Sequence, residues 1–180
     1  MYPRTVVVKD HLEVELWPML SDDAPALLEF YRALPANDLL YLREDVTTPA
    51  AMDRWVEGLE SDKAWHLLAA YQGHIIADGE LDYPSYGWSR HVGELRLVVD
   101  RAFRGSGLSL IMGRELLAQA ADEGLHKVMV QMTTEQHMAI QLCKKLGFQH
   151  EAVLSEHVQD QYGTLHDVVI MAYFTRQLRR

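Results

Sequence analysis

A single cysteine, Cys143, stands in the 180 residues, so no internal disulfide can form and nothing calls for an oxidising compartment. No apolar run approaches the roughly 20 residues that a membrane-spanning helix needs. Met1-Tyr2-Pro3-Arg4 has no apolar stretch of the signal-peptide kind. These absences set the expectation of a cytoplasmic protein with no membrane association. Basic residues are also scarce: 17 Lys and Arg against 26 Asp and Glu leave a net charge of −9. Nucleic-acid binding needs a basic footprint, so that class is set aside. The acidity would suit a cationic substrate, although a solvated acidic surface is the simpler account. No repeat, low-complexity tract or Pro/Gly/Ser linker divides the chain, and its length suits one domain over residues 1–180.

What is present reads as a mixed α/β chain. Thr5–Val8 and Leu12–Leu16 are β-rich around Lys9-Asp10-His11, the pattern of a hairpin. Ser21-Asp22-Asp23 opens a helix, with Ser21 as its cap, and Leu27, Leu28, Phe30, Tyr31 and Leu34 follow at mostly helical spacing before Pro35. After a connection over Ala36–Asp45, Thr48 caps a second helix with Pro49 at its first position. Strands are expected over Trp65–Tyr71 and Ile75–Leu81, following Ser61-Asp62-Lys63. A loop spans Tyr83–Arg90, and a strongly β-prone strand runs over Val92–Val99. A helix from about Gly107 to Glu123, a strand over Lys127–Met132, a helix over Glu135–Leu146 and strands over Phe148–Leu154 and Val168–Phe174 complete the chain. Strand–helix–strand units after residue 92 imply a partly parallel sheet, and the hairpins before it imply a mixed one.

Chemistry concentrates at Arg104-Gly105-Ser106-Gly107-Leu108-Ser109, where a buried strand ends in a glycine turn that opens a helix. The first amides of a helix lack internal partners, and its dipole adds positive potential. Glycines let a ligand approach the backbone closely. The physical expectation is an anion site, most naturally for a phosphate or pyrophosphate, with Arg104 adding a charged contact. A plain glycine turn is the competing reading. The nucleotide P-loop is excluded because Leu108-Ser109 stands where it needs Lys and then Ser or Thr. The dinucleotide fingerprint is excluded because Leu110 stands at its third glycine.

Arg104–Ser109 resembles the Arg-x-x-Gly-x-Gly/Ala signature of the GNAT superfamily of N-acetyltransferases. Ala139-Ile140-Gln141-Leu142-Cys143-Lys144-Lys145-Leu146-Gly147-Phe148 resembles a second segment of that family, in the expected order and separation. The likeness is specific over about residues 92–172 and loose over 12–82. It implies a mixed, splayed β-sheet flanked by helices, opening between the strands at 92–99 and 127–132. Acetyl-CoA would lie in that opening as co-substrate. Its pantetheine would pair with backbone at Leu97, Val98 and Val99, and its pyrophosphate would sit on Arg104, Gly105, Ser106, Gly107, Leu108 and Ser109. Gln136 stands where such proteins often have an Asn, and joins the cofactor-binding candidates. The implied reaction moves an acetyl group to an amine by direct attack in a ternary complex. The acceptor would be a small amine or a protein amine. A homodimer is an open expectation, since such families often dimerise. A non-catalytic acyl-CoA-binding sensor is the alternative reading.

Cys143 occupies the place of a Tyr that often protonates the departing thiolate in the family, and reads better as a small buried residue. An amine must lose a proton before it attacks, so a base is needed. Glu94 is the leading candidate: it shares a strand face with Arg96 and Val98, opposite Leu95, Leu97 and Val99. Pairing of Glu94 with Arg96 is the structural alternative. Glu80 and Asp82 read as solvated charges at a strand end. The loop Tyr83–His91 and the segment His157–His166 are candidates to line an acceptor pocket. The nine histidines show no compact ligand spacing, so no metal is expected.

Overall fold

The computed structural model describes residues 2–39, 42, 45–61 and 64–176, with the side chains of Asp10 and Asn37 left aside. Parts of the Ala36–Asp45 connection (residues 40, 41, 43 and 44), with Met1, Asp62 and Lys63, lie outside the described residues.

Eight strands form one sheet: β1 (Arg4–Val8), β2 (Leu12–Pro18), β3 (Ala64–Tyr71), β4 (His74–Asp82), β5 (Val92–Val99), β6 (Lys127–Thr133), β7 (Gln149–Gln159) and β8 (Leu165–Phe174). Their order is β1-β2-β3-β4-β5-β6-β8-β7. Each neighbouring pair is antiparallel except β5 with β6. The chain thus follows the mixed sheet flanked by helices that the sequence implies.

The helices are α1 (Ala24–Ala33), the single turn α2 (Ala36–Leu39), α3 (Pro49–Glu60), α4 (Leu108–Asp122) and α5 (His137–Leu146). Leu27, Phe30 and Tyr31 give α1 its buried stripe, and Ala51, Met52 and Trp55 do so for α3. Thr48 caps α3 as expected, its Oγ1 accepting from Ala51 N at 3.3 Å. Ser21 does not cap α1. Residues 21–23 form a 3-10 turn, and the Asp23 carboxylate holds it, accepting from Leu20 N at 2.8 Å and Trp17 Nε1 at 3.0 Å. A carboxylate two residues farther along reaches the free amide better than the Ser21 hydroxyl.

Alternating strand residues feed two cores. On one face α4 and α5 cover Leu67, Leu81, Leu95 and Val99; on the other α1 and α3 cover Leu68 and Val98. Inside the second core lies a buried polar group, Asp78, which accepts from Tyr31 Oη at 2.8 Å. Buried polar atoms cost more unpaired than paired bonds gain. Tyr31→Phe should therefore lose about 1–3 kcal/mol of stability, read as a lower urea midpoint with an unchanged m-value. An unaltered midpoint would show that Asp78 does not depend on the phenol.

Candidate active site

β5 and β6 pair over only three positions, Val92↔Lys127, Gly93↔Val128 and Glu94↔Met129. Past them β5 stays with β4 while β6 stays with β8, so the sheet opens between the two strands. The antiparallel alternation decides which groups face that opening. Asp100 N donates to Ile76 O at 2.9 Å, which makes those two a bonded pair. Stepping back by two along the register puts Val98, Arg96 and Glu94 in the pairs bonded to β4. Leu97 and Val99 fall between, and their main-chain groups point into the opening. The Val99 carbonyl already accepts from Arg104 Nε at 3.0 Å. Val98 differs from the expectation, because its main chain is turned toward Asp78.

The opening leads to the glycine turn. Residues 101–103 form a 3-10 turn capped by Asp100, whose Oδ1 accepts from Ala102 N at 2.8 Å. Gly105 has φ 76° and Gly107 φ 94°, left-handed values that favour glycine. Gly107 is the residue from which α4 starts. Ser106 faces inward, its hydroxyl donating to Phe103 O at 2.7 Å and accepting from Leu108 N at 3.3 Å. Among the described residues, no acceptor is found for the amides of Gly105, Gly107 and Ser109. The turn therefore presents free N–H groups at a positive helix end. Arg104 is braced beside it, 46% exposed and ion-paired with Asp38 at 2.8 Å. Arg101 shares that carboxylate at 3.0 Å. Asp38 sits in α2, an element that sequence reading missed. Gln136 begins α5, and its Oε1 accepts from Thr133 N at 2.9 Å, so its NH2 group is the part left to meet a ligand.

Glu94 sits at the last paired position, where the opening begins, and is half-buried. Its face of the sheet is the α1–α3 side, as Arg96, two residues on, lies over the Trp55 ring at 4.9 Å. Asp82 is exposed, as expected of a strand end. Glu80 is not: its side chain is only 15% exposed and is ion-paired with Arg96. The expectation of a solvated charge failed because α1 and α3 cover the middle of β4. Behind Glu80 lies His66, fully buried, with Nδ1 3.0 Å from Asp78 Oδ1. Burial pushes the Glu80 carboxyl upward, against Arg96 and His66. Burial is the largest influence on Asp78 and works against its charge, but the His66 charge and hydrogen bond, the Arg96 charge and the Tyr31 hydrogen bond together outweigh it and hold that carboxyl below its usual range. Sequence reading missed this cluster. The available signal was His66 inside the apolar run of β3, and Asp78 and Glu80 at alternate positions within β4.

The segment around His157–His166 forms the exposed end of β7 and its turn, where His166 Nε2 lies 3.0 Å from Asp160 Oδ2. In the loop before β5, Tyr86 is exposed and Trp88 is 96% exposed. Among the described residues, no three His, Cys, Asp or Glu side chains group as metal ligands, and no helix is long and apolar enough to cross a membrane.

Cys143 is the buried residue of α5, facing the core that α4 and α5 cover, and burial pushes its thiol up to about 11. A thiol held there gives up its proton poorly, so it suits packing better than proton transfer. Cys143→Ala should keep turnover within a few-fold of wild type, measured with saturating cofactor. A loss beyond about 100-fold, roughly 2.7 kcal/mol of barrier, with cofactor affinity intact would make the thiol a participant.

The model of the acetyltransferase (GNAT) family matches residues 24–148. No curated protein matches the chain. Among solved structures, an acetyltransferase of the GNAT family from Streptococcus pneumoniae superposes with a TM-score of 0.79 at 22% identity, over 90% of this chain and 99% of that one. The ribosomal-protein-alanine N-acetyltransferase from Brucella melitensis gives 0.79 at 22%, over 88% and 98%. The spermidine N-acetyltransferase from Vibrio cholerae, in complex with CoA and spermine, gives 0.77 at 16%, over 93% and 98%. At these identities the structural likeness speaks to the fold.

Proposed function

The chain belongs to the acetyltransferase (GNAT) family, and from that premise we propose that it transfers an acetyl group from acetyl-CoA to an amine by direct attack in a ternary complex. The observation that carries this reading is the opened edge of β5 running straight into the glycine turn of α4. The main-chain groups of Leu97 and the N–H of Val99 face the opening along a line that ends at the free amides of Gly105, Gly107 and Ser109, while the Val99 carbonyl is held by Arg104. An extended amide-bearing arm fits the strand edge, and a pyrophosphate fits the helix start. Val98 contributes packing on the α1–α3 side, Leu108 anchors the start of α4, and Ser109 and Gln136 flank the cradle.

Acetyl-CoA supplies an activated thioester. This chain's residues hold it, exclude water and manage one proton. As the amine nitrogen bonds the acetyl carbon and the carbon–sulfur bond breaks, the amine proton passes to a base and the thiolate leaves. Glu94 is the base in this reading, because its carboxylate stands at the vertex where the strands part, on the face opposite α4. The cofactor phosphates occupy the α4 side, which leaves the α1–α3 side to the acceptor. The similar solved structures named for spermidine and for ribosomal-protein alanine both concern amines, which supports that acceptor class. The test is free thiol released from acetyl-CoA against a panel of polyamines, small amines and peptide N-termini. Amine-dependent release supports catalysis. Tight acetyl-CoA binding with no release for any amine would favour a sensor.

A further inference from the structure

His66 is placed to do more than fill the core. It is enclosed by Asp78 and Glu80 from β4, Arg96 from β5, Tyr31 from α1 and Trp55 from α3. Both ring nitrogens face carboxylates: Nδ1 lies 3.0 Å from Asp78 Oδ1, and Nε2 lies 3.6 Å from Glu80 Oε1. Nε2 is buried and has no hydrogen-bond partner, so it is aimed at Glu80 from just beyond bonding reach. A neutral ring would set a bare lone pair against one of the two carboxylates. With both nitrogens protonated, His66 and Arg96 balance Asp78 and Glu80, and the buried cluster carries no net charge. Trp55 closes it, its ring 5.0 Å from His66 and 4.9 Å from the Arg96 guanidinium. Arg96 and Glu80 are the members that reach the surface, 21% and 15% exposed, on the same face as Glu94 and beside exposed Asp82.

We propose that His66 is a positioning residue of the acceptor side: held as an imidazolium by Asp78, it fixes the Glu80–Arg96 pair, which sets the Glu80 carboxylate beside Glu94 and exposed Asp82, and those two give the face the negative charge that receives a cationic amine. This rests on the acyl-transfer reading above and adds the charge of the acceptor and the residue that arranges its receptor. Burial is the largest influence and opposes the charge on His66, as does Arg96, but the charge and hydrogen bond of Asp78 with the charge of Glu80 together outweigh them and raise the ring above its ordinary range. The sign follows: the charged arrangement is complete below about pH 6.5 and is lost as pH rises through the raised folded value.

Nitrogen-15 NMR of the wild-type imidazole, assigned through its contacts with Trp55, decides the first half without any variant. Both His66 nitrogens should show protonated shifts at pH 7.5, and Glu80→Gln should move the titration to lower pH. A ring with one bare nitrogen at pH 7.5 overturns the proposal. Kinetics decide the second half. Glu80→Gln should raise the KM for a cationic amine about tenfold with the acetyl-CoA Kd unchanged, and Glu80→Asp should recover part of the loss. An unchanged acceptor KM in Glu80→Gln overturns it. Should wild type bind acetyl-CoA yet acetylate no amine, the acyl-transfer reading fails, and the imidazole spectrum still decides the state of His66.

Discussion

Gly107→Asp should abolish the rise in melting temperature that acetyl-CoA gives the wild-type protein, and weaken the cofactor Kd by about 100-fold or more. Gly107 is the residue from which α4 starts, and its amide is one of three in the turn without an acceptor. A carboxylate there puts a negative charge against a bound pyrophosphate and competes for the same N–H groups. Steric explanations are weak, because a Cβ at this position meets nothing within 4 Å. The backbone is a harder constraint, since φ is 94° and most side chains resist that region. Asn and Asp tolerate it better than others. Gly107→Asn therefore makes the control: it carries the same backbone strain and the same shape without the charge. Affinity should fall by no more than about tenfold in the Asn variant. Equal loss in both would mean that backbone strain, rather than an anion site, explains the effect. Equal binding by wild type and the Asp variant would remove the turn from the cofactor site.

Glu94→Gln should lower turnover by about 10²–10⁴-fold and leave acetyl-CoA affinity within a factor of about two. The substitution keeps the side chain's length and its capacity to accept a hydrogen bond, but removes the ability to take a proton. A loss confined to kcat is the mark of an interaction made in the transition state. The acidic limb of the pH–rate profile should vanish with it. Glu94 stands at the last β5–β6 pair, so a change in how it is held could also alter the width of the opening. Acetyl-CoA affinity reports on that directly, which is why it is measured alongside. Wild-type turnover in Glu94→Gln, with an unaltered profile, would make Glu94 structural and move the base to a water chain or to Glu80.

The elements that the sequence made legible are those whose periodicity meets a core. β5 runs over Val92–Val99 as read, because alternate residues feed both cores. Helix α3 is announced by Thr48-Pro49, since the cap and the fixed φ of proline act locally. β7 and β8 are longer than read, reaching Gln159 and starting at Leu165. Their extra length is an exposed ribbon with a register break between Leu154 and Val158, so neither burial nor strict alternation marked it. α2 is one turn whose Asp38 matters through Arg101 and Arg104, more than 60 residues away, a pairing that local patterns do not encode.

The site divides in the same way. The glycine turn was legible because positive φ and free amides are properties of a few consecutive residues. Which strand residues face the opening was not, since it depends on the β4–β5 register: Leu97 and Val99 turn outward and Val98 does not. Glu80 was misread as a solvated strand-end charge for a related reason. Only the packing of α1 and α3 shows that it is enclosed with Arg96 and His66.

The most direct measurement is a crystal structure with CoA bound. The account predicts the pantetheine arm along β5, hydrogen-bonded to main-chain groups of Leu97 and Val99. The pyrophosphate should lie on the amides of Gly105, Gly107 and Ser109, and the sulfur should point toward the vertex at Glu94. CoA bound elsewhere, or along β5 with the turn at 104–109 untouched, would contradict it.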